Sequence, residues 1–171
     1  MSLFDAINHA MSAISTGGFS TSDQSLAKWP QPAVHWVAIV VMILGSLPFT
    51  LYVATLRGNR GALIRDEQVR GLLGLLLVTW LVLGAWYWAT TDLPWYDALR
   101  HVALNVTSVV TTTGFALGDY SLWGNFALMF FFYLGFIGGC SGSTAGGVKI
   151  FRFQVAYILL KANLNQLIHP R

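Results

Sequence analysis

Apolar positions along the chain gather into four stretches separated by short polar segments. The first runs from about Ala33 to Leu56, the second from Gly71 to Thr91, and the last from Leu122 to Leu160. Between the second and the last, Trp95 to Val110 has the mixed apolar and polar pattern of an amphipathic helix, followed by Thr111-Thr112-Thr113-Gly114-Phe115. No Asp, Glu, Lys or Arg lies between Arg70 and Asp92, from Trp29 to Leu56, or from Tyr120 to Val148. Each run matches or exceeds the roughly 20 residues that carry a helix across about 30 Å of hydrocarbon. The pattern predicts an all-α integral membrane protein.

The last stretch is too long for one straight span and is interrupted by Gly138-Gly139-Cys140-Ser141-Gly142-Ser143-Thr144-Ala145-Gly146-Gly147. Such a segment cannot be a lipid-facing helix, because each bare peptide group costs several kcal/mol in hydrocarbon. At membrane depth it is tolerated only inside protein or along a wet cavity. The second span ends in Trp86, Tyr87 and Trp88, residue types that collect at membrane–water boundaries.

Composition sharpens this picture. Of 171 residues, 55% are hydrophobic and 10% charged, against about 25% charged in a soluble domain. The start of the chain lacks the features of a secretory signal. Cys140 is the single cysteine, which excludes a disulfide framework within the chain. If the connector 57–70 is cytoplasmic, the segment after the last span is too. That side then holds eight of the ten basic residues (Arg57, Arg60, Arg65, Arg70, Lys149, Arg152, Lys161, Arg171), and the other holds Lys28, Arg100 and five of seven acids. The positive-inside rule is satisfied, so the net charge of +3 reflects topology and not nucleic-acid binding.

The chain also repeats itself. From Thr16 to Leu26 and from Thr112 to Leu122, the pattern Thr-x-Gly-Phe-x-x-x-Asp-x-Ser-Leu recurs at a constant offset of 96. Upstream, Phe4-Asp5-Ala6-Ile7-Asn8-His9 is similar to Tyr96-Asp97-Ala98-Leu99-Arg100-His101, with four more residues, about one helical turn, before the second loop. A full unit reads span, short helix, Thr/Gly loop, span. Residues 1–56 lack the leading span and supply the second half of one unit. Residues 57–70 connect, 71–161 form a complete unit with its interruption at 138–147, and 162–171 form a cytoplasmic tail.

A short helix that dips into a membrane and returns points the negative end of its dipole toward the membrane centre. Glycine in the returning loop lets the backbone present carbonyl oxygens, and rings of carbonyls replace the hydration shell of an alkali cation. Thr16, Gly17 and Gly18, with Thr112, Thr113 and Gly114, are the residues expected to do this. An acidic outer face would concentrate cations.

These motifs resemble those of the Trk/Ktr/HKT superfamily of potassium transporters, in its bacterial Trk branch. The resemblance rests on Phe4-Asp5-Ala6-Ile7 leading to Gly17-Gly18-Phe19-Ser20-Thr21, on Thr112-Thr113-Gly114-Phe115, and most of all on Gly138 to Lys149. It covers essentially the whole chain. It implies potassium uptake through a pore of four helix–pore-loop–helix repeats, of which this chain carries about one and a half. Gly138, Gly139, Gly142, Ser143, Thr144, Gly146, Gly147 and Lys149 would belong to a gate beneath the filter. The resemblance further implies a bacterial inner-membrane location, a homodimer in lipid, and a cytoplasmic nucleotide-binding subunit of the TrkA/KtrA type. No cofactor is expected beyond the transported potassium ion. Glycine at the filter positions fits the potassium class of the family, whereas a serine in the first unit accompanies sodium permeation. The first and fourth loops, and a basic residue of the fourth unit near the gate, are outside this sequence. Two filter loops do not close a fourfold ring, so the chain is expected not to conduct alone.

Several residues admit two readings. The Lys149 ammonium would either touch the gate loop or snorkel to water. Asp23 and Asp119 would recruit ions or, as favoured here, cap the following helices. His9 and His101 read as packing or interfacial residues, and Cys140 as a small buried one. An enzyme lacks its parts: there is no Ser/His/Asp set, and residues 142–149 lack the adjacent Gly-Lys-Ser/Thr of a phosphate loop. The competing functions are a non-conducting membrane subunit that keeps the fold and a sodium- and potassium-permeable Ktr-type channel.

Overall fold

The computed structural model describes residues 1–168 and is mostly helical. Its elements in chain order are α1 (Leu3–Ile14), α2 (Pro32–Gly45), α3 (Phe49–Leu56), α4 (Ala62–Arg65), α5 (Glu67–Thr90), α6 (Trp95–Val110), α7 (Asn125–Leu134) and α8 (Ile150–Ile168). Two-residue strands β1 (Ile137–Gly138) and β2 (Val148–Lys149) pair between α7 and α8.

Helix starts follow local chemistry. Ser2 and Asp5 form a reciprocal capping box on α1, satisfying two donors that have no partner inside the helix. Asp66 caps α5 by accepting from the Gln68 and Val69 amides at 2.9 and 3.1 Å. Pro32 opens α2, where its missing N–H costs nothing. Only α5, among the described residues, is a single helix long and apolar enough to cross a membrane. Its 24 residues extend about 36 Å.

Three expectations need correction. The first span, read as continuous from Ala33 to Leu56, is two helices bent by 89° at Ser46–Pro48. Pro48 supplies no amide for a helical bond, and the residue before a proline avoids helical geometry. The second span begins at Glu67 and not Gly71, because the Asp66 cap draws the last polar residues of the connector into the helix. The tail expected from residue 162 continues α8 to Ile168, and the rest of it lies outside the described residues.

The complete unit packs around α6. One face of α6 (Ala98, Val102, Val106, Val110) lies in a buried cluster with Leu72, Leu76 and Leu83 of α5 and Phe131 of α7. Ala103 and Leu104 join a second cluster with Ala13 of α1 and Ile39 and Met42 of α2. Enclosed on both sides, α6 buries polar residues that a lipid-facing helix would not carry: Asn105, Thr107, Ser108 and Arg100. The aromatic group expected at the membrane boundary is partly internal. Tyr87 stacks on Trp123 with ring centres 4.1 Å apart, and Trp86 packs on Phe126 at 5.0 Å, while Trp88 is exposed.

The interruption of the last span is wider than its glycines, running from Gly135 to Lys149. Helix α7 has 10 residues, about 15 Å, or half the hydrocarbon thickness. Because β1 and β2 pair in parallel, Ile137 with Val148 and Gly138 with Lys149, the intervening loop returns to its starting level. The chain then resumes its original direction into α8.

Candidate functional site

The two Thr/Gly loops end their helices in the same way. At α1, the Thr16 amide donates to the Ala13 carbonyl at 3.1 Å and the Gly17 amide to the Ser12 carbonyl at 2.8 Å. At α6, Thr112 donates to Val109 at 3.0 Å and Thr113 to Ser108 at 2.8 Å. Each pair is the double bond of a Schellman ending, which satisfies terminal carbonyls by a left-handed residue. Here that residue is threonine: Thr16 has φ of 50° and Thr112 of 56°. A β-branched residue in this region is a genuine outlier, with a cost of about 1–3 kcal/mol. Two positions later Gly18 and Gly114 are left-handed as well, at 71° and 92°. The offset of 96 read from the sequence therefore holds in backbone geometry.

The loops also touch. Any side chain at Gly18 would collide with the Thr113 carbonyl, whereas nothing lies within 4 Å of the equivalent direction at Gly114. Just beyond, the Ala116 amide donates to Ser25 Oγ at 3.2 Å. Phe115 lies against the His9 ring of the other unit, with ring centres 5.7 Å apart. The equivalent Phe19 is 81% exposed. Gly18 and His9 of the first unit thus meet Thr113 and Phe115 of the second, while Gly114 and Phe19 face open space.

Behind the loops sit positioning residues that the sequence reading paired differently. His9 Nδ1 lies 2.7 Å from the Asp5 carbonyl, which can only accept, so this nitrogen carries the proton. In the neutral ring, Nε2 then accepts from Ser20 Oγ at 2.9 Å. Counted back from the loop, the equivalent of His9 is Asn105, not His101. Asn105 Oδ1 accepts from the Leu117 amide at 3.0 Å and its Nδ2 donates to the Leu117 carbonyl at 3.2 Å. Each short helix thus holds the segment that returns from its own loop. Ser12 and Ser108, another equivalent pair, have buried hydroxyls with no hydrogen-bond partner among the described residues.

The Gly/Ser-rich segment lies against the second loop and the ends of α1 and α2. Gly146 N–H donates to Thr112 Oγ1 at 2.6 Å. Thr144 Oγ1 lies 2.9 Å from the Gly45 carbonyl and 3.2 Å from that of Ile14, where α2 and α1 end. Cys140 N–H donates to the Ser46 carbonyl at 3.0 Å, and Phe49 N–H to the Gly142 carbonyl at 3.0 Å. The break in the first span is therefore filled by the break in the last. Gly138 and Gly139 are hemmed in by Gly146, Ala145 and Ser46, and Gly142 and Gly147 are left-handed. Ser143 Oγ donates to the Cys140 carbonyl at 2.7 Å. Lys149 Nζ donates to the Ala145 carbonyl, so its ammonium touches the loop. Cys140 is fully buried. Asp119 caps its turn through the Ser121 amide at 2.9 Å, but Asp23 makes no capping bond, because Gln24 heads the turn at Ser25–Lys28.

One full-length apolar helix, two interrupted apolar stretches and two matched loops in contact give the architecture of a helical membrane protein. The chain belongs to the family described as TrkH, cation transport protein, whose family model matches residues 1–171. It is 53% identical over 170 residues to the Trk system potassium uptake protein TrkI of Halomonas elongata, covering 99% of this chain and 34% of that protein. It is 36% identical to the Trk system potassium uptake protein TrkG of Escherichia coli, covering 100% of this chain and 36% of that protein. The crystal structure of the potassium transporter TrkH from Vibrio parahaemolyticus superposes with a TM-score of 0.92 at 31% identity, covering 100% of this chain and 37% of that one. The chain thus spans about a third of the length of the relatives it matches.

Proposed function

We propose that these residues form part of a potassium pathway across the bacterial inner membrane, as one and a half repeats of a four-repeat Trk-type transporter. The observation that carries this reading is the matched pair of left-handed turns, Thr16–Gly18 and Thr112–Gly114, packed directly against each other. Backbone held in two strained turns at the negative ends of two helix dipoles suits a weakly hydrated cation, whose ligands would be carbonyl oxygens. Residues 138–147 act as a gate beneath these turns, since their hydrogen bonds reach both helix ends. The open side of Gly114 and the exposed Phe19 fit a ring that further repeats complete. A homodimer and a cytoplasmic nucleotide-binding regulator of the TrkA/KtrA type complete the proposed assembly. Potassium uptake proteins among the relatives support the choice of ion.

The test is growth of an uptake-deficient bacterium at limiting potassium. This chain alone is compared with the chain joined to its flanking coding sequence. Rescue by the longer form alone supports a partial pore. Rescue by the short form would mean that several copies assemble one. Failure of both, with the protein present in the membrane, would favour a non-conducting subunit.

A further inference from the structure

We propose that the hydroxyls of Thr112 and Thr144 latch the loop 138–147 to the filter turns, so that releasing the loop changes the filter as well as the path below it. This rests on reading that loop as a gate. Its two halves are held differently. Residues 140–142 are tied through their backbone to the break at 46–49, and the Ser141 amide donates to Gln68 Oε1 at 2.9 Å. That half is an anchor, with bonds independent of side chains in the loop.

Residues 144–146 have one backbone bond of this kind, from the Thr144 amide to the Gly45 carbonyl at 3.3 Å, and otherwise rely on side-chain oxygens. Thr144 Oγ1 has one proton and two carbonyls in reach, Gly45 and Ile14, so it bridges the ends of α2 and α1. Gly146 N–H is held by Thr112 Oγ1. Thr112 is also the strained left-handed residue of the second turn, and its neighbour Thr113 presents the carbonyl that abuts Gly18. Movement of 144–146 would free the Thr112 hydroxyl, let a strained residue relax, and disturb the contact between the two turns. The equivalent Thr16 has no such link: its hydroxyl donates to the adjacent Ser15 carbonyl at 2.8 Å. One turn of the pair is thus bound to the gate and the other is not.

Threonine-to-valine changes remove the hydroxyls while keeping branched side chains, and serine restores them. Thr144→Val, Thr112→Val and the two serine variants are compared in the form of the protein that supports uptake. Readouts are potassium and sodium flux in membrane vesicles, with and without nucleotide, and the rate of maleimide labelling of buried Cys140. We expect Thr144→Val to raise unstimulated potassium flux several-fold and to speed labelling about tenfold. Thr112→Val should do the same and lower the potassium-over-sodium preference at least threefold, and each serine variant should lie closer to wild type than the valine variant at its position. Unchanged flux, preference and labelling in the valine variants would overturn the latch, as would loss of flux in protein that is folded and membrane-inserted. If Thr112→Val does not accumulate, Thr144→Val and Cys140 labelling decide alone. Wild-type protein that carries no potassium in any form would instead overturn the gate reading itself.

Discussion

Arg100 Nη1 lies 2.7 Å from His35 Nδ1, joining the short helix of one repeat to the inner helix of the other across 65 residues of sequence. His35 Nε2 lies 3.2 Å from the Leu26 carbonyl, which can only accept. The ring is therefore neutral, protonated at Nε2, and takes the arginine proton at Nδ1. Asp97 accepts a second bond from the same guanidinium at 2.7 Å. A charge that is almost wholly buried is thus neutralised by one acid and oriented by one histidine.

This arrangement predicts an order of damage. His35→Leu leaves one side of the charged guanidinium facing an apolar wall and should destabilise the protein by about 1.5–3 kcal/mol, the range for a hydrogen bond to a charged group. Arg100→Met removes the charge together with its need for partners, and should cost less. His35→Asn, which retains an acceptor, should fall between wild type and leucine. Thermal unfolding of purified protein in detergent gives the ranking, and a milder effect for leucine than for methionine would contradict the assignment.

Asn105 and His9 should behave as equivalents with unequal weight. Asn105→Leu strands both polar groups of Leu117 in the interior, a loss of roughly 2–4 kcal/mol. His9→Leu strands only the Ser20 hydroxyl and should cost about half as much. Both changes loosen a segment that returns from a Thr/Gly turn proposed to line the filter, so potassium-over-sodium preference in flux assays should fall in each. His101→Leu, which lies off this register, should leave the preference unchanged.

Gly18 and Gly114 separate backbone strain from contact between repeats. Both are left-handed, so alanine strains either by about 1–2 kcal/mol. Only at Gly18 does the added methyl meet the Thr113 carbonyl. Gly18→Ala should therefore lower the thermal stability of this two-loop unit more than Gly114→Ala. If flanking repeats fill the open side of Gly114, the two variants become equally damaging in the longer protein, and thermal unfolding measures the difference.

Asp5 links the start of α1 to the segment after its loop. Hydrogen bonds from Thr21 and Ser2 hold its carboxyl below the usual aspartate value of 3.8. A depressed pKa contributes stability that is present above the ordinary value and is lost as pH falls through the folded one. Wild type should therefore be more stable than Asp5→Asn at neutral pH. The gap should close as pH drops below about 4, and a difference in Tm that persisted in acid would reject this role.

Much of the fold was legible in the chain because its signals are local. Charge-free runs marked spans, and the bounds of α6 were read as Trp95 and Val110, where the structure has them. The repeat of Thr-x-Gly-Phe gave the register in which two backbones later proved to share left-handed turns. Ser46-Leu47-Pro48 also carried a local signal, a proline within an apolar run, that the hydrophobic pattern concealed.

Other features belong to the tertiary structure alone. No rule of spacing pairs Arg100 with His35, Gly146 with Thr112, or Thr144 with the ends of two helices. Those contacts exist because buried polar groups must find partners, and after folding the nearest partner lies on another element. The pairing of His9 with Asn105 is of the same kind. Similarity at the helix starts pointed to His101, but the returning loop fixes position at the helix ends, and the additional turn of α6 lies before that point. Sequence determined which segments are apolar, helical or glycine-rich, since hydropathy and backbone preference act residue by residue. Packing decided which break fills which gap, since hydrogen-bond satisfaction is settled only between elements.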